Sequence, residues 1–325
     1  VPDIGIAHIG TVLLLFFYLV LHMAAGAVWR RRSARAYGFW QLIRGAAAEL
    51  ERRLNRSGRT DRQKSSRGFL IVIVMMFFGV MIGVAADRVA VHAYGWVAQL
   101  LLLSAVVTLH APLKLLRDVA AALEKSDTKS AVALLQPVVP HEELSKADRH
   151  TLARRALEHA AVAANRYLVA PCFYFALFGG TGMMVYVVAV SLHDAFADEP
   201  VFGRSARICE RVISFVPSRI AAFSLSLAGG FVSRSNPLRA MGVWLGQGRD
   251  YLPSSQGVMV AAMAGALGVR LGGMQRQSFK WIGTWESSAM VTAADVSRGA
   301  MLCFVSFLCE LMLLSVGFIA LYKFS

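Results

Sequence analysis

The run Gly257-Val-Met-Val-Ala-Ala-Met-Ala-Gly-Ala-Leu-Gly-Val-Arg-Leu-Gly-Gly273 places five glycines among alanines and large apolar residues. Small residues at three- and four-residue spacing let helix backbones approach closely, an arrangement typical of helices that pack inside a membrane. Spacing alone serves a packing role and a binding role equally well. What surrounds the run decides between a membrane protein and a soluble one.

The chain has 325 residues, of which 56% are hydrophobic and 17% charged, with a mean hydropathy of +0.53. That is too apolar for a soluble domain of this size and reads as an integral membrane protein. The formal net charge is +14, and Arg30 to Gly68 carries eleven arginines and one lysine against Glu49, Glu51 and Asp61, a local net of +9. Because this basic segment lies between two apolar runs, the positive-inside rule places it in the cytoplasm of a bacterial inner membrane, against anionic lipid headgroups. A nucleic-acid partner is not expected. Cys172, Cys209, Cys303 and Cys309 show no CxxC spacing and three of them sit in apolar segments, so neither a zinc site nor a disulfide framework is expected. The chain begins at Val1 rather than Met, so a few residues are expected to precede it. No charged region with a small-residue cleavage site precedes the first apolar run, which therefore reads as an anchor rather than a signal peptide.

Along the chain, His8 to Trp29 forms a first span closed by Arg30-Arg31-Arg32. Tyr37 to Asn55 has its apolar residues at helical spacing and reads as an amphipathic helix on the inner leaflet. Phe69 to Ala86 and Tyr94 to Ala111 are a second and third span joined by the short linker Asp87 to Ala93, hence an antiparallel hairpin. From Pro112 the chain is mixed and mostly helical, with Ser145-Lys-Ala-Asp148 resembling a capping box ahead of a cytoplasmic helix. Residues 1–111 thus form an N-terminal three-span region and 112–325 a second region. Within the latter, Tyr167 to Leu192 is apolar but split by Gly179-Gly180-Thr181-Gly182, giving either one broken span or, as favoured here, a re-entrant hairpin. Phe202 to Val216 reads as a surface helix, Pro217 to Val232 as a short apolar helix, Ser233 to Pro253 as a polar loop and Ala300 to Tyr322 as the last span. The expected fold is all-α, a polytopic helical bundle with about four to six membrane segments and amphipathic cytoplasmic helices.

Catalytic signatures are absent: there is no GxxxxGK[ST], Rossmann fingerprint, HExxH or GxSxG. Glu310, near the middle of the last span, is an ionisable group at membrane depth and serves either a function or a buried hydrogen bond to another helix. His22 and His110 lie near span ends, as interfacial imidazoles do. A transporter would show two similar halves with broken helices; only Gly179 to Gly182 and Glu310 point that way.

Ala261 to Gly273 resembles a signature segment of the CobD/CbiB family of cobalamin-biosynthesis membrane proteins, and the likeness extends in order over Pro112 to Met312. Ala156-Leu-Glu158, Val169-Ala-Pro171, Phe178-Gly-Gly180, Phe202-Gly-Arg-Ser-Ala206, Phe215-Val-Pro-Ser-Arg-Ile220, Arg249-Asp250, Pro253-Ser-Ser-Gln-Gly257 and Asp295-Val-Ser-Arg298 carry it. Members with known activity join an aminopropanol phosphate to a corrinoid carboxylate at the expense of ATP, so the resemblance implies acids that hold Mg²⁺ and basic or amide groups that hold phosphates.

The chain departs from that pattern at its polar positions. Where the family has Glu-Asn and then Asp before the Ala-Pro, this sequence has Val162-Ala163 and Arg166, keeping only Glu158. Val187, Val190, Ser191 and His193 replace Lys, Asn, Thr and Asp; Glu210-Arg211 replaces an acidic pair, Ser214 an Asn, Ser254-Ser255 part of a Ser-Pro-Asn, and Val260 a downstream acid. An N-terminal Asp…Gly-Asp-Pro element is not visible. Asn165 to Pro171 is closer to the related AmpE proteins, which are linked to β-lactamase regulation. The resemblance therefore implies a retained fold without the original catalysis, serving as an accessory, regulatory or complex-forming subunit with a membrane-protein partner or a second copy. The alternative is a divergent adenosylcobinamide-phosphate synthase. In that case the resemblance points to Glu158, Glu210 and Asp250 as catalytic acids, to Arg249, Ser254, Ser255, Gly265, Gly268, Arg270, Gly272 and Gly273 as substrate-binding residues, and to Mg²⁺ and ATP; no separate metal-ligand set is expected.

Overall fold

A computed structural model of the chain describes Tyr18 and residues 38–55, 60–92, 94–108, 110–144, 147–249, 254–273 and 280–324. The first predicted span, His8 to Trp29, the arginines that close it, Ser145 and Asp250 lie outside the described residues, Tyr18 excepted. Two compact units are formed, one from residues 1–108, 170–214 and 318–325, the other from residues 109–169 and 215–317.

In the first unit the helix Gly38–Leu54 buries Trp40, Ile43 and Ala47, an i, i+3, i+7 stripe. The Trp40 indole donates to the Val106 carbonyl at 2.9 Å and meets the Tyr186 ring edge-on. The sequence suggested an apolar face resting on a leaflet; that stripe packs inside the unit instead. The helix Asp61–Ala90 has 30 residues, about 45 Å at 1.5 Å per residue and so longer than a bilayer core. Phe69, Leu70, Phe77, Phe78 and Met81 along it are exposed, as a lipid-facing surface would be, while Gly79 and Gly83 are buried.

Those glycines receive the hairpin. A Cβ on Gly83 would fall 2.4 Å from the Thr181 Cα, so only glycine admits the contact. The helical stretch Ala170–Ala195 is interrupted at Phe178 (φ −133°, ψ 15°) and Gly179 (φ 63°, ψ −153°). It also doubles back there, because the Tyr174 and Tyr186 rings stack with centroids 5.6 Å apart, whereas twelve residues of straight helix separate side chains by about 18 Å. Of the two forms the sequence left open, the chain takes the hairpin. The third predicted span is interrupted: its helix Trp96–Val106 is followed by extended Val107 and by a new helix from His110, and the two together are long and apolar enough to cross a bilayer.

The second unit contains the helices His110–Glu124, Thr128–Leu135, His141–Leu144 and Arg149–Ala164, followed by a π-helical turn at Asn165–Val169. Asp148 itself caps Arg149–Ala164, its carboxylate accepting from the Thr151 amide at 2.9 Å, so the cap lies three residues beyond the Ser145 start the sequence suggested. That hydrogen bonding from Thr151 holds the Asp148 carboxyl below the usual aspartate range. The helices Phe215–Ala228, Pro237–Gln247, Ser254–Leu267 and Ala293–Phe324 complete the unit, except that the last helix ends in the first one. The stretch read as a polar loop thus holds a helix at Pro237–Gln247, begun by Asn236 as N-cap and Pro237 in the first turn. Two two-residue antiparallel strands, Leu271–Gly272 and Trp281–Ile282, are its only described sheet.

By length and composition, four helical stretches among the described residues are candidates to cross a bilayer: Asp61–Ala90; Trp96–Glu124, interrupted at Val107; Arg149–Ala195, which includes the hairpin; and Ala293–Leu313. A fifth results if Arg204–Ile213 and Phe215–Ala228, interrupted at Ser214, are one span. By helix length and composition this is an all-helical, multi-pass membrane protein.

Candidate functional site

The opening glycine-rich run becomes two structures. Ser254 to Leu267 is helical, and at Gly265 it comes so close to the helix Pro237–Gln247 that a Cβ would lie 2.7 Å from the Ala240 Cα. Arg239 caps its end, donating from Nε to the Gly265 carbonyl at 2.6 Å and from Nη2 to that of Ala266 at 3.2 Å. These are the orphan carbonyls that every helix C-terminus leaves. Beyond Gly268 the chain enters the short strand pair, where Gly272 has φ 85° and a Cβ would stand 2.6 Å from the Lys280 carbonyl oxygen. No side chain fits there.

This turn meets a buried acid of the helix Arg149–Ala164. Glu158, 4% exposed, accepts from the Gly272 amide through Oε1 at 2.6 Å and from Arg155 Nη1 through Oε2 at 2.7 Å. Arg155 in turn places Nε 3.0 Å from Glu143 Oε2. The result is a Glu-Arg-Glu triad, with Arg155 and Glu158 buried and Glu143 partly exposed, tied to the backbone of the glycine turn. Low dielectric makes each contact strong and makes an orphaned member costly. Next along the helix, Arg154 lies over the Trp281 indole with its guanidinium carbon 4.6 Å from the ring centroid.

The other expected site residues each have their own local setting. Ser255 is buried in the first turn of its helix; Arg249 is exposed just beyond the end of Pro237–Gln247; Arg270 donates to the Trp285 carbonyl. Gly273 bonds the Lys280 carbonyl through its amide at 3.1 Å. Glu210 is buried, 2% exposed, in the helix Arg204–Ile213 of the first unit. Asp250 lies outside the described residues, and so does the Ser254 side chain.

Two oxygens of Glu158 are occupied by protein donors, and no group of three His, Cys, Asp or Glu side chains able to hold a metal is found among the described residues. The donors around Glu158 therefore suit an internal ion pair and do not fit Mg²⁺, which needs several oxygen ligands at octahedral positions. Sequence reasoning singled out Glu158 but passed over Glu143, Arg154, Arg155 and Trp281. The Arg155-x-x-Glu158 spacing, three residues apart on a helix, was the available signal for one of these contacts.

A second polar constellation stands in the first unit. Asp87 accepts from the amides of Gly180 (2.8 Å) and Thr181 (2.9 Å), from the Thr181 hydroxyl (2.7 Å) and from Gln99 Nε2 (3.3 Å). It thereby caps the returning arm of the hairpin. The sequence put Asp87 in a linker; it belongs to the helix Asp61–Ala90, facing the turn.

Among curated proteins, the chain is similar to a cobalamin biosynthesis protein CobD of Dehalococcoides mccartyi, 32% identical over 154 residues covering 46% of this chain and 49% of that protein. It is also similar to those of Stutzerimonas stutzeri, 28% identical over 55% of this chain and 58% of the relative, and Citrobacter koseri, 23% identical over 73% and 76%. The chain thus spans about half the length of the first two of these relatives. No solved structure matches it. The family model described as CobD/Cbib protein matches residues 14–303, most of the chain, and with the helical membrane architecture above it shows that this protein belongs to the CobD/CbiB family.

Proposed function

We propose that this chain is a CobD/CbiB-family protein of the bacterial inner membrane that keeps the family's packing scaffold and has exchanged its synthase chemistry for an accessory, regulatory or complex-forming role. The observation that carries the reading is the engagement of Glu158. The acid retained at a family position is tied up by Arg155 and the Gly272 amide, which suits a structural role. The replacement of neighbouring polar positions by Val162, Ala163, Val187, Val190 and Val260 supports it further. In this reading the partner is another membrane protein or a second copy, and the basic segment Arg30 to Gly68 rests on anionic headgroups at the cytoplasmic face.

The test is complementation of a strain lacking adenosylcobinamide-phosphate synthase, with an affinity pull-down of the full chain in mild detergent. The expected result is no corrinoid synthesis and recovery of a stoichiometric membrane protein or a homo-oligomer. Restored corrinoid synthesis establishes the divergent synthase instead, and with it a Mg²⁺- and ATP-dependent amide ligation.

A further inference from the structure

The last helix carries an acid that neither the family resemblance nor the proposed role uses. Glu310 lies ten residues after Ala300 and twelve before Tyr322 in the apolar stretch of the helix Ala293–Phe324, about 15 Å from one end of that stretch and about 18 Å from the other at 1.5 Å per residue. That is the middle of a bilayer core. The side chain is nonetheless 5% exposed, as are Cys303 and Ser306. With Gly299 these residues stand at i, i+4, i+7 and i+11, one face of the helix. A Cβ on Gly299 would run into the Leu157 side chain and stand 3.7 Å from Leu267 Cδ1, so this face is turned to protein.

What surrounds the carboxyl is neutral. The Ser306 hydroxyl donates to Oε1 at 3.3 Å, and the thiols of Cys303 and Cys309 lie within electrostatic reach. Among the described residues no lysine, arginine or histidine pairs with Glu310. On its own helix Arg298 is three turns away and is paired with Asp295. On the helix Arg149–Ala164, Arg149 and His150 bond one another, Arg155 is engaged by Glu143 and Glu158, Arg154 is coupled to Glu158 and Asp148, and His159 to Arg166. The helix Ser254–Leu267 has no titratable side chain. An ionised carboxylate without a cation is expensive at membrane depth, and the neutral acid costs far less.

We propose that Glu310 is a proton-binding site inside the membrane, a carboxylic acid that carries its proton in the resting protein while Ser306 donates to its carbonyl oxygen. The bound proton turns an acceptor-only group into one that also donates. Its release would leave a bare negative charge among the helices, so proton loss from this protein's membrane interior is centred on this residue. The proposal does not depend on whether synthase activity survives, because its readout is the state of one carboxyl.

The test is infrared spectroscopy of the full chain at neutral pH in a maltoside detergent, which has no carbonyl of its own. A carboxylic acid shows a C=O stretching band above the amide bands, and an ionised carboxylate does not. Glu310→Gln is expected to remove acid-band intensity equal to one carboxyl per chain. The exposed Glu286→Gln is the control and should remove none. Ser306→Ala takes away the hydrogen bond to Oε1 and should keep the intensity while moving the band to higher frequency, a shift that the band of an acid elsewhere would not show. An unchanged acid band in folded Glu310→Gln overturns the proposal, and so does the absence of the band from the unaltered protein. Where Glu310→Gln does not fold, an unmoved band in Ser306→Ala overturns it instead.

Discussion

At the scale of single residues, the energetics of this protein centre on one buried carboxylate. Glu158 has no bulk water to fall back on, so Arg155 and the Gly272 amide both depend on it. Replacing one member of such a pair leaves a buried charge uncompensated and costs about 3–5 kcal/mol. We predict that Glu158→Gln lowers the thermal midpoint of the detergent-solubilised protein and that Arg155→Met does likewise. The double substitution should cost less than the sum of the two by at least about 1 kcal/mol, as members of one network do. Additive losses in that cycle would mean that the pair does not act as a unit. Glu158 was legible in the sequence through the family resemblance, as the acid kept ahead of the Ala-Pro. Its acceptance from the Gly272 amide was not, because 114 residues separate the two and a backbone donor has no sequence signature. Arg154 and Trp281 were missed for a similar reason: a stacked arginine and a surface arginine are spelled alike.

At the scale of elements, the apolar period exposed the long helices and the glycine cluster exposed the hairpin turn, whereas the polar devices that fix the turn stayed hidden. The Gly179 conformation, with φ 63°, and the approach of a would-be Cβ to 2.9 Å from Asp87 Oδ1 make the turn and the acid one structure. Asp87→Ala strands the Gly180 and Thr181 amides and the Thr181 hydroxyl. An unsatisfied buried donor costs about 1–3 kcal/mol, and partial exposure places the expected total near the low end, roughly 2 kcal/mol. Asp87→Asn, which keeps an acceptor, should lose less. Because Trp40 packs edge-on against Tyr186 on the returning arm, loosening of the hairpin should also shift Trp40 emission. Equal thermal midpoints for Asp87→Ala and the unaltered protein would show that the cap does not hold the turn. The reading of residues 233–253 as a loop failed at this scale for a local reason. Arg234, Ser235, Asn236 and Pro237 carry loop chemistry, and the Asn-Pro pair that begins the helix Pro237–Gln247 looks the same as a turn until its first hydrogen bonds are seen.

At the scale of the molecule, the charge pattern makes a prediction about orientation, while helix packing is read from the structure. Mean composition and span length identify a multi-pass membrane protein directly from the sequence. The assignment of chain segments to units was less accessible, since the hairpin Ala170–Ala195 joins the N-terminal helices, which no linear boundary anticipates. Orientation rests on the net +9 between Arg30 and Gly68, the largest concentration of charge in the chain. Retaining each of these side chains on the cytoplasmic side is favoured by the anionic leaflet at about 1 kcal/mol per residue near the surface. A cysteine introduced as Arg53→Cys, with Cys209 and Cys309 replaced by serine, should therefore react with a membrane-impermeant maleimide in inside-out vesicles and not in intact spheroplasts. Position 53 suits the probe because the Arg53 side chain is well exposed and is engaged only by Glu49 in a surface pair of small energetic weight. Labelling in spheroplasts would place the basic segment outside the cytoplasm, and the positive-inside argument would then not govern this chain.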